Sequence, residues 1–418
     1  MPTPAHESTP VHIVGAGPTG LAVAAALSAR GQRSVILEQS SGAGGAWRGH
    51  YDRLRLHTTR RRSGLPGLSI PRAAGRWPSR DAMVSYLERY AEEHRLEIAA
   101  GVSVSRVEPL PDAGGGGGDS GGENGGDSEG GGAAGARGAK EPRWLLHGNG
   151  GRRLYAPAVV VATGWCRTPH LPEWPGQDGF TGELLHSARY RDAAPYAGLD
   201  VLVVGAGNSG AEIACDLADG GAARVQLAVR TPPQLLRRST LGWSAQSTAI
   251  LTRRLPLPVA DRAAALASRV TVRDLAAYGL PRPAPGLHRR ARAGSAPVYD
   301  AGLVRRVRRG QVAPVAAVES FDGDKVHLAD GTILSPQVVI AATGYRRGLE
   351  ELVGHLGVLD GRGVPQQAGR RPAAPGLFFA GYAQPASGPL REIARESDRV
   401  AKAVVRAMTG SRGGRARG

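Results

Sequence analysis

The sequence predicts an α/β fold in which two similar units with parallel sheets occur in one chain, the second inserted into the first. Two observations support this prediction. A strand, a glycine-rich turn, a helix and a second strand follow one another from Val11, and the pattern recurs from Asp200. Two apolar strands ending in Ala-Thr-Gly-aromatic, at 159–165 and 338–345, bracket the second unit. We expect the chain to leave and re-enter the first domain at these strands.

In the first unit, an apolar strand leads into a turn that contains Gly15, Gly17 and Gly20. Glycines here let the backbone approach a pyrophosphate, whose charge is held by the free N–H groups of the following helix. The next strand ends at Glu38, whose carboxylate can accept hydrogen bonds from a ribose diol. An acid at this position suits an unphosphorylated ribose, as in FAD or NAD.

The second unit repeats the turn and differs at the end of its second strand. The expected cofactor-binding residues of this turn are Gly205, Gly207, Asn208, Ser209 and Gly210. Arg230 stands where the first unit has its acid, and a guanidinium can pair with a 2′-phosphate. The chain is therefore predicted to contain two Rossmann-like dinucleotide-binding domains, the first for FAD and the second for NADPH.

Composition excludes several other classes of protein. The chain has 418 residues, of which 41% are hydrophobic, and only two cysteines, Cys166 and Cys215. Two distant cysteines exclude a disulfide scaffold and a cysteine-rich zinc site, and we expect no metal. No apolar run reaches the roughly 18 residues of a membrane span, and the N-terminus has no pattern of a secretory signal. We expect a cytoplasmic protein without a membrane partner.

The net charge of +17 raises the question of nucleic-acid binding. Only three of the 53 basic residues are lysines, and alanine, glycine and proline are abundant, which indicates the codon bias of a GC-rich genome. The arginines are also spread along the whole chain. We therefore expect no nucleic-acid partner, with the alternative that part of the charge attracts anionic ligands.

An FAD site and an NADPH site in one chain indicate a flavin-dependent oxidoreductase. Disulfide reductases with this organisation need a cysteine pair close after the first unit, and residues 39–60 contain no cysteine. Two alternatives stay open at this point. One is a dehydrogenase or diaphorase that passes electrons on without oxygen transfer. The other is a protein that uses the fold without catalysis.

The segment between the two units narrows the choice. It fits F-x-G-x-x-x-H-x-x-x-Y through Phe180, Gly182, His186 and Tyr190. By this motif the chain resembles the flavin-containing monooxygenases, the single-component class B enzymes. The resemblance implies that the motif organises the junction between the FAD and NADPH domains. It also implies that His186 is structural or positions NADP, and it argues against the dehydrogenase alternative.

Further stretches are similar to the plant YUCCA-type indole-3-pyruvate monooxygenases. They include 44–48, 51–58, 65–68, 277–283, 296–300 and 338–345. The resemblance implies that Trp47 lines the FAD pocket and that His57 and Thr58 lie near the flavin ring. His57 is the candidate catalytic residue, at a position where amine-oxidising members usually have asparagine. Thr163, Thr343 and Gly381 are the remaining expected cofactor-binding residues.

The resemblance implies a particular reaction class. Such an enzyme forms a C4a-(hydro)peroxyflavin and transfers one oxygen atom of O2 to a small organic substrate. The outcome is N- or S-oxygenation, Baeyer–Villiger insertion or oxidative decarboxylation of a 2-oxo acid, and the sequence does not choose between them. We expect residues 235–309 to contain helices near the substrate. Their arginines, which could hold a carboxylate, are Arg237, Arg238, Arg253, Arg254, Arg289 and Arg290.

The expected domain boundaries follow from these motifs. They are 10–165 with 336–408 for the FAD domain, 195–335 for the NADPH domain, 112–139 for a disordered Gly-rich insert and 409–418 for a flexible tail. The insert has almost no apolar residues, so it cannot bury enough surface to fold. We place it at the tip of a hairpin, where an insertion costs little. The sequence does not determine the oligomeric state.

The preference for NADPH over NADH tests the prediction that Arg230, unlike Glu38 in the first unit, binds a 2′-phosphate. Arg230→Ala should raise the KM for NADPH about 10-fold or more, because it removes a charge-assisted contact with the 2′-phosphate. The KM for NADH should not change, because NADH has no such group. Steady-state kinetics with both coenzymes measure this. An equal loss with NADH would mean that Arg230 does not recognise the 2′-phosphate.

Overall fold

The structure is a computed structural model in which most of the chain is described. The described residues are 9–111, 143–240, 242–252, 255–272, 274–284, 286–287, 289, 297–383 and 388–409. The predicted insert at 112–139 lies outside them. So does the predicted tail, apart from Thr409, which is the last residue of a helix.

Helices and strands alternate through both halves of the chain. The helices are α1 Pro18–Ser28, α2 Gly45–Arg48, α3 Arg80–Glu93, α4 Asn208–Asp219, α5 Ala245–Thr252, α6 Leu257–Thr271, α7 Leu303–Arg308, α8 Leu349–Val353 and α9 Pro389–Thr409. The strands are β1 Val11–Val14, β2 Ser34–Glu38, β3 Glu97–Ala100, β4 Val104–Pro109, β5 Trp144–Gly148, β6 Arg153–Ala156, β7 Val159–Val161, β8 Thr168–Pro169, β9 Glu183–His186, β10 Asp200–Val204, β11 Arg224–Ala228, β12 Leu235–Arg237, β13 Ser239–Thr240, β14 Trp243–Ser244, β15 Val298–Asp300, β16 Ala313–Val315, β17 Val318–Asp322, β18 Lys325–Leu328, β19 Ile333–Leu334, β20 Val338–Ala341, β21 Tyr345–Arg346 and β22 Leu377–Phe379.

The first domain is built on a parallel sheet with the strand order β22-β7-β1-β2-β3. β1 and β7 are buried throughout, which is typical of strands covered on both faces. The small residues of α1 let the last helix, α9, pack closely along it. An ion pair of 2.5 Å between Arg30 and Asp398 joins these two helices at the surface.

The second domain has an equivalent parallel sheet, with the order β16-β11-β10-β20-β9. The predicted α/β fold with two dinucleotide-binding domains is thus confirmed. The predicted re-entry at 336 is wrong, because β20 pairs with β10 in the second sheet and not with the first sheet. β20 is buried along its whole length between β10 and β9, and an apolar strand indicates burial without indicating which sheet it joins.

The two Ala-Thr-Gly-aromatic strands have the same place in their own sheets. β7 pairs with β1 in the first sheet, and β20 pairs with β10 in the second. In each case the strand lies beside the one that leads into the glycine turn. The repeat in the sequence therefore marks the strand that flanks the turn-leading strand on the side away from β2 or β11, and the first sheet receives its last strand only at β22.

Small antiparallel sheets extend the two domains. β4, β5 and β6 form one, in which Pro109 pairs with Trp144, so the insert connects neighbouring antiparallel strands as predicted. β17, β18 and β19 form a second three-stranded sheet, and β13 with β14 and β21 with β8 form two-stranded ones. Within the described part of the chain, no helix combines the length and the apolar character needed to cross a bilayer.

The third glycine of the second turn supports the close packing of helix on strand. A Cβ at Gly210 would lie 1.8 Å from the carbonyl oxygen of Gly205, whereas a Cβ at Gly207 would have no described atom within 4 Å. We therefore expect Gly210→Ala to lower the free energy of unfolding by about 1–3 kcal/mol or more. Gly207→Ala, the matched control, should leave it nearly unchanged. Urea unfolding of both variants measures this, and equal effects would contradict the packing role.

Candidate cofactor and active site

Of the three glycines in the first turn, two have no space for a side chain and one has open space beside it. Gly15 has a φ of +107°, and a Cβ there would lie 2.8 Å from the carbonyl oxygen of Ala162. A Cβ at Gly20 would lie 1.9 Å from the oxygen of Gly15. A Cβ at Gly17 would meet no described atom within 4 Å, and no side chain caps the helix that begins after it. Gly17 therefore leaves open space beside free N–H groups, which fits a pyrophosphate.

Glu38 is buried at the end of β2, beside this turn. One carboxylate oxygen accepts a hydrogen bond of 2.7 Å from the N–H of Ala16, and the other accepts one of 2.8 Å from the N–H of Ser40. Gly45 packs against Ser40 without room for a side chain, since a Cβ at Gly45 would lie 1.8 Å from the hydroxyl oxygen of Ser40. The carboxylate is thus oriented by two backbone donors and keeps lone pairs for ribose hydroxyls.

The other expected FAD residues lie at the carboxyl edge of the same sheet or beside it. The hydroxyl of Thr163, after β7, forms a hydrogen bond of 2.8 Å with that of Tyr382. Gly381, after β22, donates its N–H to Glu396 on α9, and a Cβ there would lie 2.4 Å from the hydroxyl oxygen of Thr19. Half-buried Trp47 packs against the core of the first domain. Parallel strands end at one edge, so residues that are distant in the chain meet there.

The second glycine turn has the same geometry. Gly205 has a φ of +108°, and a Cβ there would lie 2.6 Å from the oxygen of Ala342. Arg230 lies exposed just beyond β11, at the same edge of the sheet.

Three further predicted residues of the second domain contact protein groups. The amide of Asn208 donates to the carbonyl of Pro297 at 3.0 Å and accepts from the N–H of Tyr299 at 2.9 Å, so it holds β15 at the start of α4. Ser209 forms a side-chain hydrogen bond with Tyr51 of the first domain. The hydroxyl of Thr343, after β20, donates to the carbonyl of His170.

The linker motif is held in place by contacts at all four fixed positions. Phe180 packs edge-to-face on Phe321, and a Cβ at Gly182 would lie 2.6 Å from the carbonyl oxygen of Gln337. Nε2 of His186 donates to the carbonyl of Gly344 at 2.9 Å, and its Nδ1 accepts from a backbone N–H. The fully buried Tyr190 donates to Asp216 on α4 at 2.8 Å.

The linker also contacts the first domain. The Arg191 guanidinium donates to the carbonyls of Arg48 and His50 at 2.6 and 2.8 Å. The N–H of Asp52 donates to the carbonyl of Arg191 at 2.9 Å. Arg53 reaches Asp219 on α4 with an ion pair of 2.6 Å. Segment 48–58 of the first domain is therefore bound both to the linker and to α4.

His57 lies in a cluster that the sequence did not predict, in which two side chains are buried and two, His57 and Arg238, are half-buried. We call Tyr51, His57, Glu212 and Arg238 the interdomain cluster. Tyr51 donates to one oxygen of Glu212 at 2.8 Å, and the other oxygen lies 3.5 Å from Nε2 of His57 and 3.5 Å from the Arg238 guanidinium. The ring of His57 stacks on that of Tyr299, with centroids 4.8 Å apart. The sequence feature that points to this cluster is Glu212, a charged residue between the apolar residues of α4.

Burial sets the charge of the groups in this cluster. It lowers the pKa of His57 to about 3, with a smaller contribution from the Arg238 guanidinium. Burial raises the pKa of the Glu212 carboxyl, while the hydrogen bond from Tyr51 and the charge of Arg238 lower it. His57 is therefore neutral at physiological pH.

Comparison with known proteins identifies the family. The family described as flavin-binding monooxygenase-like matches residues 149–351, and the family pyridine nucleotide-disulphide oxidoreductase matches residues 12–114. Indole-3-pyruvate monooxygenase YUCCA1 of Oryza sativa subsp. japonica is 35% identical over 337 residues, which cover 80% of this chain and 76% of that protein. The chain belongs to the flavin monooxygenase family. The cofactors of this family member are FAD and NADPH.

Solved structures of low sequence identity share the fold. A flavin monooxygenase mutant from Stenotrophomonas maltophilia has a TM-score of 0.69 at 24% identity, covering 97% of this chain and 99% of that chain. Cyclohexanone monooxygenase has a TM-score of 0.66 at 16% identity, covering 97% and 88% of the two chains. The bacillithiol disulfide reductase Bdr of Bacillus cereus also shares the fold, with a TM-score of 0.64 at 18% identity and coverages of 95% and 99%.

The open position in the first turn gives a test of the flavin site. Gly17→Ala should fold normally, because its Cβ would meet no described protein atom and its φ of −76° suits any residue. The added methyl group would occupy the space in which the pyrophosphate fits, so the purified variant should retain much less FAD. The ratio of flavin to protein absorbance measures this. Full FAD retention would show that the pyrophosphate binds elsewhere.

Proposed function

We propose that the chain is an FAD- and NADPH-dependent monooxygenase that transfers one oxygen atom of O2 to a small organic substrate. The observation that carries this proposal is the pair of matching glycine turns, joined by a linker bound to both domains. The first turn would hold FAD and the second NADPH. Bound FAD supplies the redox chemistry, by accepting hydride from NADPH and activating O2.

The residues around the first turn would bind and orient the flavin cofactor. The N-terminus of α1 faces the open space at Gly17, where it would hold the pyrophosphate. Glu38 would accept hydrogen bonds from the ribose hydroxyls, with its carboxylate already oriented by two backbone N–H groups. Thr58, whose hydroxyl is 2.7 Å from that of Ser63, would lie with His57 near the flavin ring.

The residues around the second turn would select and hold NADPH. Gly207 leaves the second open space, at the N-terminus of α4. The exposed guanidinium of Arg230 would pair with the 2′-phosphate. Asn208 and Thr343 would shape this site mainly through their bonds to backbone carbonyls, which hold the neighbouring segments in place.

For the reaction class we propose oxidative decarboxylation of a 2-oxo acid. This proposal rests on the 35% identity with a relative named indole-3-pyruvate monooxygenase. Of the arginines predicted to hold a carboxylate, Arg238 already pairs with Glu212, and Arg237 and Arg289 are exposed. Arg253, Arg254 and Arg290 lie outside the described residues. We therefore assign Arg238 to Glu212 rather than to the substrate carboxylate.

Isotope labelling tests the proposed reaction. We expect the protein to consume NADPH under 18O2 with an aromatic 2-oxo acid, release CO2 and form the shortened carboxylic acid with one 18O atom. A sulfide, a tertiary amine and a cyclic ketone serve as competing substrates, with mass spectrometry of each product. Label in one of those products instead would keep the monooxygenase and replace its substrate class.

The dehydrogenase alternative predicts a different result in the same assay. NADPH would be oxidised as fast without O2 when a quinone is added. In air, hydrogen peroxide would form in the same amount as NADPH is consumed with every substrate, and no product would contain 18O. That combination would overturn the proposed function.

A further inference from the structure

One buried carboxylate is shared by side chains from both domains. Glu212 lies in the first half of α4 and is 5% exposed. Tyr51, which donates to it, and His57, which lies 3.5 Å from it, come from the first domain, and its third neighbour, Arg238, follows β12. The cluster therefore connects three parts of the chain at one point.

The hydrogen-bond partners define the tautomer of His57. Nδ1 of His57 lies 3.4 Å from the Arg238 guanidinium, which can only donate, so Nδ1 accepts. A neutral imidazole carries one ring hydrogen, so that hydrogen is on Nε2, which lies 3.5 Å from an oxygen of Glu212. The contact of Nδ1 with Arg238 and the stacking of one ring face on Tyr299 orient the imidazole.

We propose that Glu212 is a positioning residue, whose buried carboxylate sets the alignment of the two dinucleotide domains and holds His57 as the neutral Nε2–H tautomer. The kinetic part of this proposal rests on the proposed function. The structural part concerns the folded protein alone, and it can be tested whether or not the chain is a monooxygenase.

A carboxylate suits this position better than an amide of the same shape. Its two oxygens accept from the Tyr51 hydroxyl and the Arg238 guanidinium and face the His57 imidazole, whereas a glutamine would direct an NH2 group at one of these groups. An apolar residue would remove the acceptor that the hydroxyl of Tyr51 and the guanidinium of Arg238 share. The negative charge also balances Arg238, one nitrogen of which, Nε, is buried and has no hydrogen-bond partner among the described residues.

The charged and titratable groups around His57 and its neighbour Arg238 come from every element packed there. They include Tyr51 and Arg55 on the first-domain segment, Glu212 on α4, and Tyr299 and Asp300 on β15. Burial and the Arg238 cation both disfavour protonation of His57, and burial is the larger effect. Removing that cation should raise the pKa of His57, because a nearby positive charge disfavours the imidazolium.

Nuclear magnetic resonance of the FAD-loaded protein with 15N-labelled histidines tests the structural part. His57→Gln identifies the His57 signals. We expect the Nε2–H tautomer, with no titration between about pH 5 and about pH 8, and a higher His57 pKa in Arg238→Gln. An Nδ1–H tautomer, or titration of wild-type His57 near about pH 6.5, would overturn the assignment.

Glu212→Gln tests the positioning role. We expect the rate constant of anaerobic flavin reduction by NADPH to fall roughly 10-fold or more, because misalignment of reacting groups by about 1 Å has effects of this size. FAD content and melting temperature should remain near those of the wild type. Asp398→Asn is the matched control, an acid-to-amide change in an exposed ion pair within the first domain, and it should not alter the rate.

The outcomes separate this proposal from the proposed function. If wild-type protein is not reduced by NADPH, the proposed function fails and the tautomer measurement alone decides the structural part. If wild type is reduced and Glu212→Gln is reduced equally fast, Glu212 does not position the domains. If Glu212→Gln loses FAD or unfolds, two other variants test the proposal. Tyr51→Phe removes one donor and no charge, so it should slow flavin reduction less than Arg238→Gln does. The reverse order would overturn the proposal.

Discussion

The contact between segment 48–58 of the first domain and helix α4 of the second determines how the two glycine turns face each other. Each turn is built by a strand, a helix, two glycines that have no room for a side chain and one that leaves open space. Their relative placement needs a contact between domains, and that contact is mainly polar. At its centre is Glu212, with the ion pair between Arg53 and Asp219 at the exposed side.

A polar junction has a physical consequence for the chemistry. Each carboxylate, hydroxyl or guanidinium that is removed from water without a hydrogen-bond partner costs about 1–3 kcal/mol of folding free energy. The interdomain cluster therefore has few alternative arrangements of low free energy, whereas apolar side chains could slide and repack. The linker adds a second attachment through Tyr190 and Arg191. An enzyme that must align two cofactors needs this kind of specificity in its domain contact.

The sequence predicts what local spacing determines. The glycine turns, the Glu38 and Arg230 contrast and the linker motif could all be located, because each depends on neighbouring residues. The sheet to which β20 belongs could not be predicted, since an apolar strand indicates burial but not its neighbour. The interdomain cluster could not be predicted either. Its members are distant in the chain, and a glutamate within a helix indicates a solvent-exposed side chain as readily as a buried one.

The most direct test of the central claim is a crystal structure of the protein with FAD and NADP+ bound together. We expect the FAD pyrophosphate over Gly17 and the NADP+ pyrophosphate over Gly207. We also expect the flavin and nicotinamide rings next to each other at the junction held by Glu212, with the 2′-phosphate on Arg230. NADP+ outside the second glycine turn, or rings held apart with the Glu212 contacts intact, would contradict the proposed alignment of the two domains.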